Sequence, residues 1–231
     1  MATSDRSRRS ARVPACRAPV EPPRVPSDLE DVEDVRLEAD TVLEGVRLLG
    51  ADVADEAVGV DIVGARLVGL RLTAASLEGI RLMDVVLEGC ELSGAVLTEA
   101  NLVRVRFERC RMAGVTLSSA RARDVTFDDC KLVDAQLGMA DLERCDLIGC
   151  DLAAADLIAA RVVGCRLLGC RLDRCQVSKA TFTGSALHGS TFEGILGADA
   201  LRGAAIGSDQ LVTLAGPVLT ALGFTVEDPE S

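Results

Sequence analysis

An all-β solenoid closed at its C-terminal end by a small helical cap is the fold this sequence predicts, and three observations predict it. Apolar residues recur at a period of five, which is neither the two of a strand nor the 3.6 of a helix. From Ile62 to Phe192 that register never slips: its 27 positions hold 18 Leu, four Phe, and Ile62, Met112, Ala122, Val162 and Val177. Finally, a chain of 231 residues that is 48% hydrophobic has no Trp, no Tyr and only five Phe. Without the bulk that aromatics bring to a core, the interior has to be narrow and filled by Leu and small side chains. Fixed-period self-similarity is the mark of stacked repeats. Five residues are too few for a supersecondary unit, so each pentapeptide is read as one side of a coil.

Residues 1–26 carry six Arg against two acids and five of the seven Pro. They read as a disordered basic tail, with no continuous apolar run that would make a secretory signal. Residues 27–40 open an acidic segment; across 27–61 twelve acids face two Arg. The repeat region spans 41–195. Apolar residues already recur at Leu43, Leu48, Val53 and Val58, and one residue is then missing before Ile62. Two positions before each centre from 62 onwards stand ten Ala, eight Cys, two Ser and seven Val, Ile or Leu, a second inward register. Gly falls repeatedly two residues after the centre, as at Gly64, Gly89 and Gly149, where a tight corner favours it. Residues 196–231 form the cap, with a helix over about 208–222. Ser208 is its expected N-cap and Gly223 its C-cap, and Pro217 is expected to kink or split it.

The clearest run of the pattern lies between residues 140 and 160. Ala140-Asp141-Leu142, Cys150-Asp151-Leu152 and Ala100-Asn101-Leu102 resemble the motif of the pentapeptide-repeat family: a small residue, Asp or Asn, Leu, and two variable residues. The resemblance covers about residues 41–195. It implies a right-handed quadrilateral β-helix with four pentapeptides per coil, hence about eight coils here and, at ~4.8 Å per strand spacing, a rod nearly 40 Å long. In gyrase-inhibiting members of that family a C-terminal helical element also mediates dimerisation. By that resemblance Leu211, Leu214, Val218, Leu219 and Leu222 are the candidate cap or homodimer interface.

Twenty residues per coil stack Cys90, Cys110, Cys130, Cys150 and Cys170 in one ladder. Interior thiols packed as small hydrophobes are the expectation, consistent with a reducing, cytoplasmic location; Cys16 alone lies in the tail. C-x-x-C pairs, a second His beside His188 and a Gly-rich phosphate loop are all lacking, so neither catalysis, nor a metal, nor a cofactor is expected. The same stacking places Asp141, Asp146 and Asp151 one rung below Arg161, Arg166 and Arg171, which makes them mortar between coils. Ile148, Ile158, Val163 and Leu168 occupy the outward register after the centre, are read as lying in consecutive coils, and as a cluster of exposed apolar residues form the candidate partner surface. With no apolar run long enough for a bilayer and no basic, aromatic-bearing surface for nucleic acid, the expected function is a non-enzymatic rod that binds another protein. The family resemblance adds a narrower alternative, a DNA-mimicking ligand of DNA gyrase that protects it from quinolones or other poisons. A redox role of the Cys ladder is the remote one.

Overall fold

The computed structural model describes residues 19–33, 35–53 and 57–225. It is a parallel β-solenoid of about seven turns followed by one short helix. The 27 regular pentapeptides, at four per turn, account for about seven turns by themselves. The eighth coil expected from residues 41–195 falls on the irregular first turn.

Every strand pairs in parallel with the strand one turn away. In the regular part the partners stand four pentapeptides apart, as in Leu82↔Leu102, Phe107↔Phe127 and Leu147↔Leu167. The outermost strands pair only sixteen residues apart, as in Glu30↔Val46 and Val35↔Ala51, and the next turn is one residue short of a full circuit, so that Leu43 pairs Ile62 and Leu48 pairs Leu67. That lost residue is the one missing from the sequence rhythm before Ile62. The far end repeats the contraction, with Ala186 bridging Ala205.

Both inward registers are buried without exception from Val60 to Phe192. A hydrophobic column therefore runs the length of the tube, and Phe107 and Phe127 stack within it at 4.8 Å, their planes 3° apart. The sides differ in their backbone. Two carry three-residue strands such as Asp141–Glu143 and Asp146–Ile148. At Arg81–Glu88 and Asn101–Glu108 those two sides merge into eight-residue strands that continue round the corner. The other two are held by single bridges and by tight turns in which Ala75 N–H donates to Leu72 O and Ala95 N–H to Leu92 O. The corner residue is left-handed throughout the tube, whether Gly (Gly149, φ 61°) or not (Ala159, φ 57°; Asp124, φ 57°). Gly marks only some of the corners because the constraint is on the backbone and Asp, Arg and Ala also meet it, at a cost.

At the C-terminal end a 3-10 turn, Ala198–Leu201, leads to a second, Ser208–Gln210, which runs into the α-helix Leu211–Ala221. Ser208 is therefore the first residue of a 3-10 turn and not an N-cap. The capping contact comes from Gln210, whose Oε1 accepts Gly207 N–H at 2.7 Å. Pro217 sits inside the helix without splitting it. Its missing N–H removes one intrahelical bond, and its neighbours keep the helical path. Gly223, at φ 82°, ends the helix as expected: its N–H meets Thr220 O and Phe224 N–H meets Leu219 O, the two bonds of a Schellman motif.

The tail expected over 1–26 falls partly outside the described residues. The part that is described, residues 19–26, has no regular secondary structure, yet it is not free as expected. Arg24 N–H donates to Asp84 Oδ1 at 2.9 Å and Glu21 N–H to Asp124 Oδ1 at 3.4 Å. Four prolines, at 19, 22, 23 and 26, stiffen this segment enough to let it lie along the rod.

Candidate interaction surfaces

The sides of the rod are built from charged residues that answer one another between turns. Asp141 accepts from Arg161 at 2.6 Å, and Asp151 takes both Nε and Nη2 of Arg171 at 2.8 Å. Asp146 is held by both arms of Arg166, with Nε at 2.7 Å. The pairing expected one circuit apart forms in all three. Two further pairs sit at a corner: Asp84 with Arg104, at 2.6 Å through both oxygens, and Asp124 with Arg144, whose Nε lies at 2.9 Å. Sequence alone does not single these out, because corner positions look interchangeable there. The signal is present as an alternation of acid and base at residues 84, 104, 124 and 144. The Arg104 hydrogen bonds hold the Asp84 carboxyl below the usual range against the opposing effect of burial. At Asp124 burial is the largest influence and pushes upward; Arg144 and the Glu21 N–H outweigh it, and the net shift is downward.

The four outward apolar residues do not meet as one patch. Ile148 and Leu168 are register partners on one side of the rod, with Ile148 38% exposed. Val163 lies on the preceding side, in Arg161–Val163, opposite Glu143. Ile158 occupies the side before that, 36% exposed. Spacing of five places them on consecutive sides, and consecutive sides of a square tube face different directions.

Inside, the eight described cysteines are buried thiols. Each points to a carbonyl of the turn below, as Cys150 Sγ to Phe127 O at 3.4 Å and Cys170 Sγ to Leu147 O at 3.3 Å. Burial pushes the Cys175 thiol up to about 12. The column that holds Cys90, Cys110, Cys130, Cys150 and Cys170 continues through Ser190, whose Oγ donates to Leu167 O at 2.9 Å. It ends at Gln210, whose Nε2 donates to Leu187 O at 2.8 Å and Ser190 O at 2.6 Å. Gln210 is thus the last rung, one circuit after Ser190, and it ties the cap to the tube while being only 4% exposed. Its place in the helical segment conceals it from a reading by pentapeptides. Among the described residues no group of three or more His, Cys, Asp or Glu could hold a metal ion.

The cap residues divide into two sets. Leu214 is 5% exposed and Val218 packs beside it against the core, so these two close the tube. Leu211, Leu219 and Leu222 are exposed by 57%, 37% and 54%. Together with Leu201 and Ile206 all five line a groove of about 650 Å³ that is apolar apart from Asp199 and Arg202. It is an unpartnered apolar surface at one end of a rod whose sides are polar. No described helix is long and apolar enough to cross a membrane.

The sequence profile described as "Pentapeptide repeat region" matches residues 65–137, and that described as "Pentapeptide repeats (8 copies)" matches 130–169 and 150–189. Together they span 65–189, more than half of the chain. No curated protein sequence matches significantly. Among solved structures, a trypsin-treated form of QnrB1, a plasmid-mediated fluoroquinolone resistance protein, is similar at 17% identity with a TM-score of 0.51, covering 84% of this chain and 99% of its own. HetL, a pentapeptide repeat protein involved in heterocyst differentiation regulation from the cyanobacterium Nostoc, is similar at 20% identity with a TM-score of 0.37, covering 76% of this chain and 86% of its own. At so low an identity the likeness to QnrB1 is one of fold.

Proposed function

This chain belongs to the pentapeptide-repeat family, and from that premise we propose that it is a non-enzymatic interaction rod that binds protein through the apolar face of its C-terminal cap. Its first partner there is a second copy of itself. One observation carries the reading: Leu211, Leu219 and Leu222 stay exposed around the groove, although Leu214 beside them already closes the tube. Exposed apolar clusters of this kind mark contact surfaces, and the end of a rod suits the self-complementary patch of a two-fold dimer.

The two sets of leucines make the test specific. Leu219→Asp places a charge on the exposed face and turns a dimer into a monomer by light scattering, with the melting temperature little changed. Leu214→Asp buries a charge in the cap and lowers the melting temperature. A wild-type chain that is monomeric at all accessible concentrations overturns the dimer.

The narrower reading, a duplex mimic that binds DNA gyrase, calls for negative charge along the rod comparable to a phosphate backbone. Residues 62–195 carry seventeen acids against sixteen Lys and Arg, and the Asp–Arg pairs neutralise one another between turns. These features support the general reading over the narrower one. Gyrase supercoiling assays with and without a fluoroquinolone test it directly, and no effect in either removes gyrase as the partner.

A further inference from the structure

The corner that carries Gly64, Asp84, Arg104, Asp124 and Arg144 is unlike the others of the tube, because a stretch of the chain's own N-terminal segment lies on it. Pro26 passes so close to Gly64 that a Cβ there would come within 3.2 Å of its ring. Arg24 N–H reaches Asp84 one turn on, and Glu21 N–H reaches Asp124 two turns beyond that. Each carboxylate thus takes one strap N–H as well as the guanidinium of the next turn, and is only 9% (Asp84) or 4% (Asp124) exposed.

The spacing is matched from both sides. Proline fixes φ at about −65° and forces the residue before it into extended backbone. Glu21-Pro22-Pro23-Arg24 is therefore held close to polyproline II. That helix repeats every three residues and rises about 3.1 Å per residue, which carries the N–H of residue 21 about 9.3 Å from that of residue 24, on the same side. Two turns of the tube span about 9.6 Å. Between the two donors stand Pro22 and Pro23, which have no N–H to leave unsatisfied.

We propose that this corner is a binding site for an extended proline-rich peptide, that it reads a free backbone N–H at every third residue with prolines between, and that residues 19–26 fill it in cis. The site goes beyond the cap contact proposed above and does not depend on it. The ligand class is set by the donors, which belong to the main chain. The side chains add only longer-range attraction, Glu21 toward Arg104 and Arg144 and Arg24 toward Asp84. The Arg24 guanidinium accordingly stays 70% exposed and pairs with Glu21 of the strap itself, at 3.0 Å.

A cleavable full-length chain tests this. A protease site inserted between Ser27 and Asp28, both exposed, turns the strap into a separate peptide after folding. The expected result is that fragment 1–27 co-elutes with the body and that excess synthetic peptide of residues 18–28 displaces it, whereas a scrambled peptide does not. In the fragment, Arg24→Pro deletes one N–H donor to a carboxylate without altering the tube and weakens binding about tenfold or more. Arg24→Ala keeps the donor and changes binding by about twofold at most. Equal affinities for the two fragments, equal displacement by the scrambled peptide, or a fragment that elutes free from a body of unchanged circular dichroism overturns the proposal. So does a body that unfolds on cutting, since the strap would then be part of the fold and not a ligand of it.

Discussion

At the scale of single residues, the corner decides the outcome of a substitution. A Cβ at Gly149 would meet nothing within 4 Å, so space cannot be the reason for Gly there; its φ of 61° is. Gly149→Ala is expected to destabilise by about 1 kcal/mol, the cost of a left-handed non-Gly residue, measured by chemical denaturation. Ala159→Gly at an equivalent corner is expected to stabilise by about 0.5 kcal/mol, because relief of that strain exceeds the extra freedom of the unfolded chain. Asp84 and Asp124 set a pH dependence. Both carboxyls are held below their ordinary values in the folded chain. Their contribution is therefore complete above the unfolded carboxyl pKa of about 3.9 and is lost as pH falls through the lower folded values. Thermal melts between pH 7 and 2.5 are expected to drop along an acid limb that is shallower in Asp84→Asn.

At the scale of elements, the cap shows how far a sequence of this kind can be read. The inward registers, the Asp–Arg pairs of residues 141–171 and the helix end at Gly223 follow from periodicity and local backbone preference, and the structure has all of them. The role of Gln210 is not legible, since its partners are main-chain carbonyls of Leu187 and Ser190, and carbonyls leave no trace in side-chain sequence. Nor is the docking of residues 19–26. A proline-rich segment without hydrophobic periodicity resembles a tail, and only the distance between Asp84 and Asp124 shows what it matches. The division of the cap leucines into a buried and an exposed set depends in the same way on where the helix axis lies over the tube. Gln210→Ala would strand the acceptors on Leu187 and Ser190 and the donor on Gly207. A loss of about 1–3 kcal/mol is expected, together with faster hydrogen exchange confined to the last turn and the helix.

At the scale of the whole molecule, each turn touches only its neighbours, so stability is a sum over turns and their interfaces. The inter-turn ion pairs of Arg161, Arg166 and Arg171 all lie before the turn Leu172–Thr191. Its deletion removes one whole circuit and brings Gln210 over Cys170 and Leu167, which have the same inward geometry as Ser190 and Leu187. The shortened chain is expected to fold, with a rod about 4.8 Å shorter by small-angle scattering. Deleting only Leu172–Gln176 keeps every inward residue inward but turns the cap by one side of the tube. It is expected to lose the cap helix signal in circular dichroism.

The offset of one circuit, constant through the regular turns and shortened only at the two ends, makes the tube a counting device. Its dimensions change in whole steps: an insertion must be a full circuit or bulge outward at a corner, and anything between rotates all that follows. Two features separated by a fixed number of circuits, such as the cap and the strap-bearing corner, are held at a distance and a bearing that point substitutions scarcely alter. A lineage of such chains would be expected to differ by duplicated or lost circuits at constant cross-section, much as a ruler is lengthened by whole divisions.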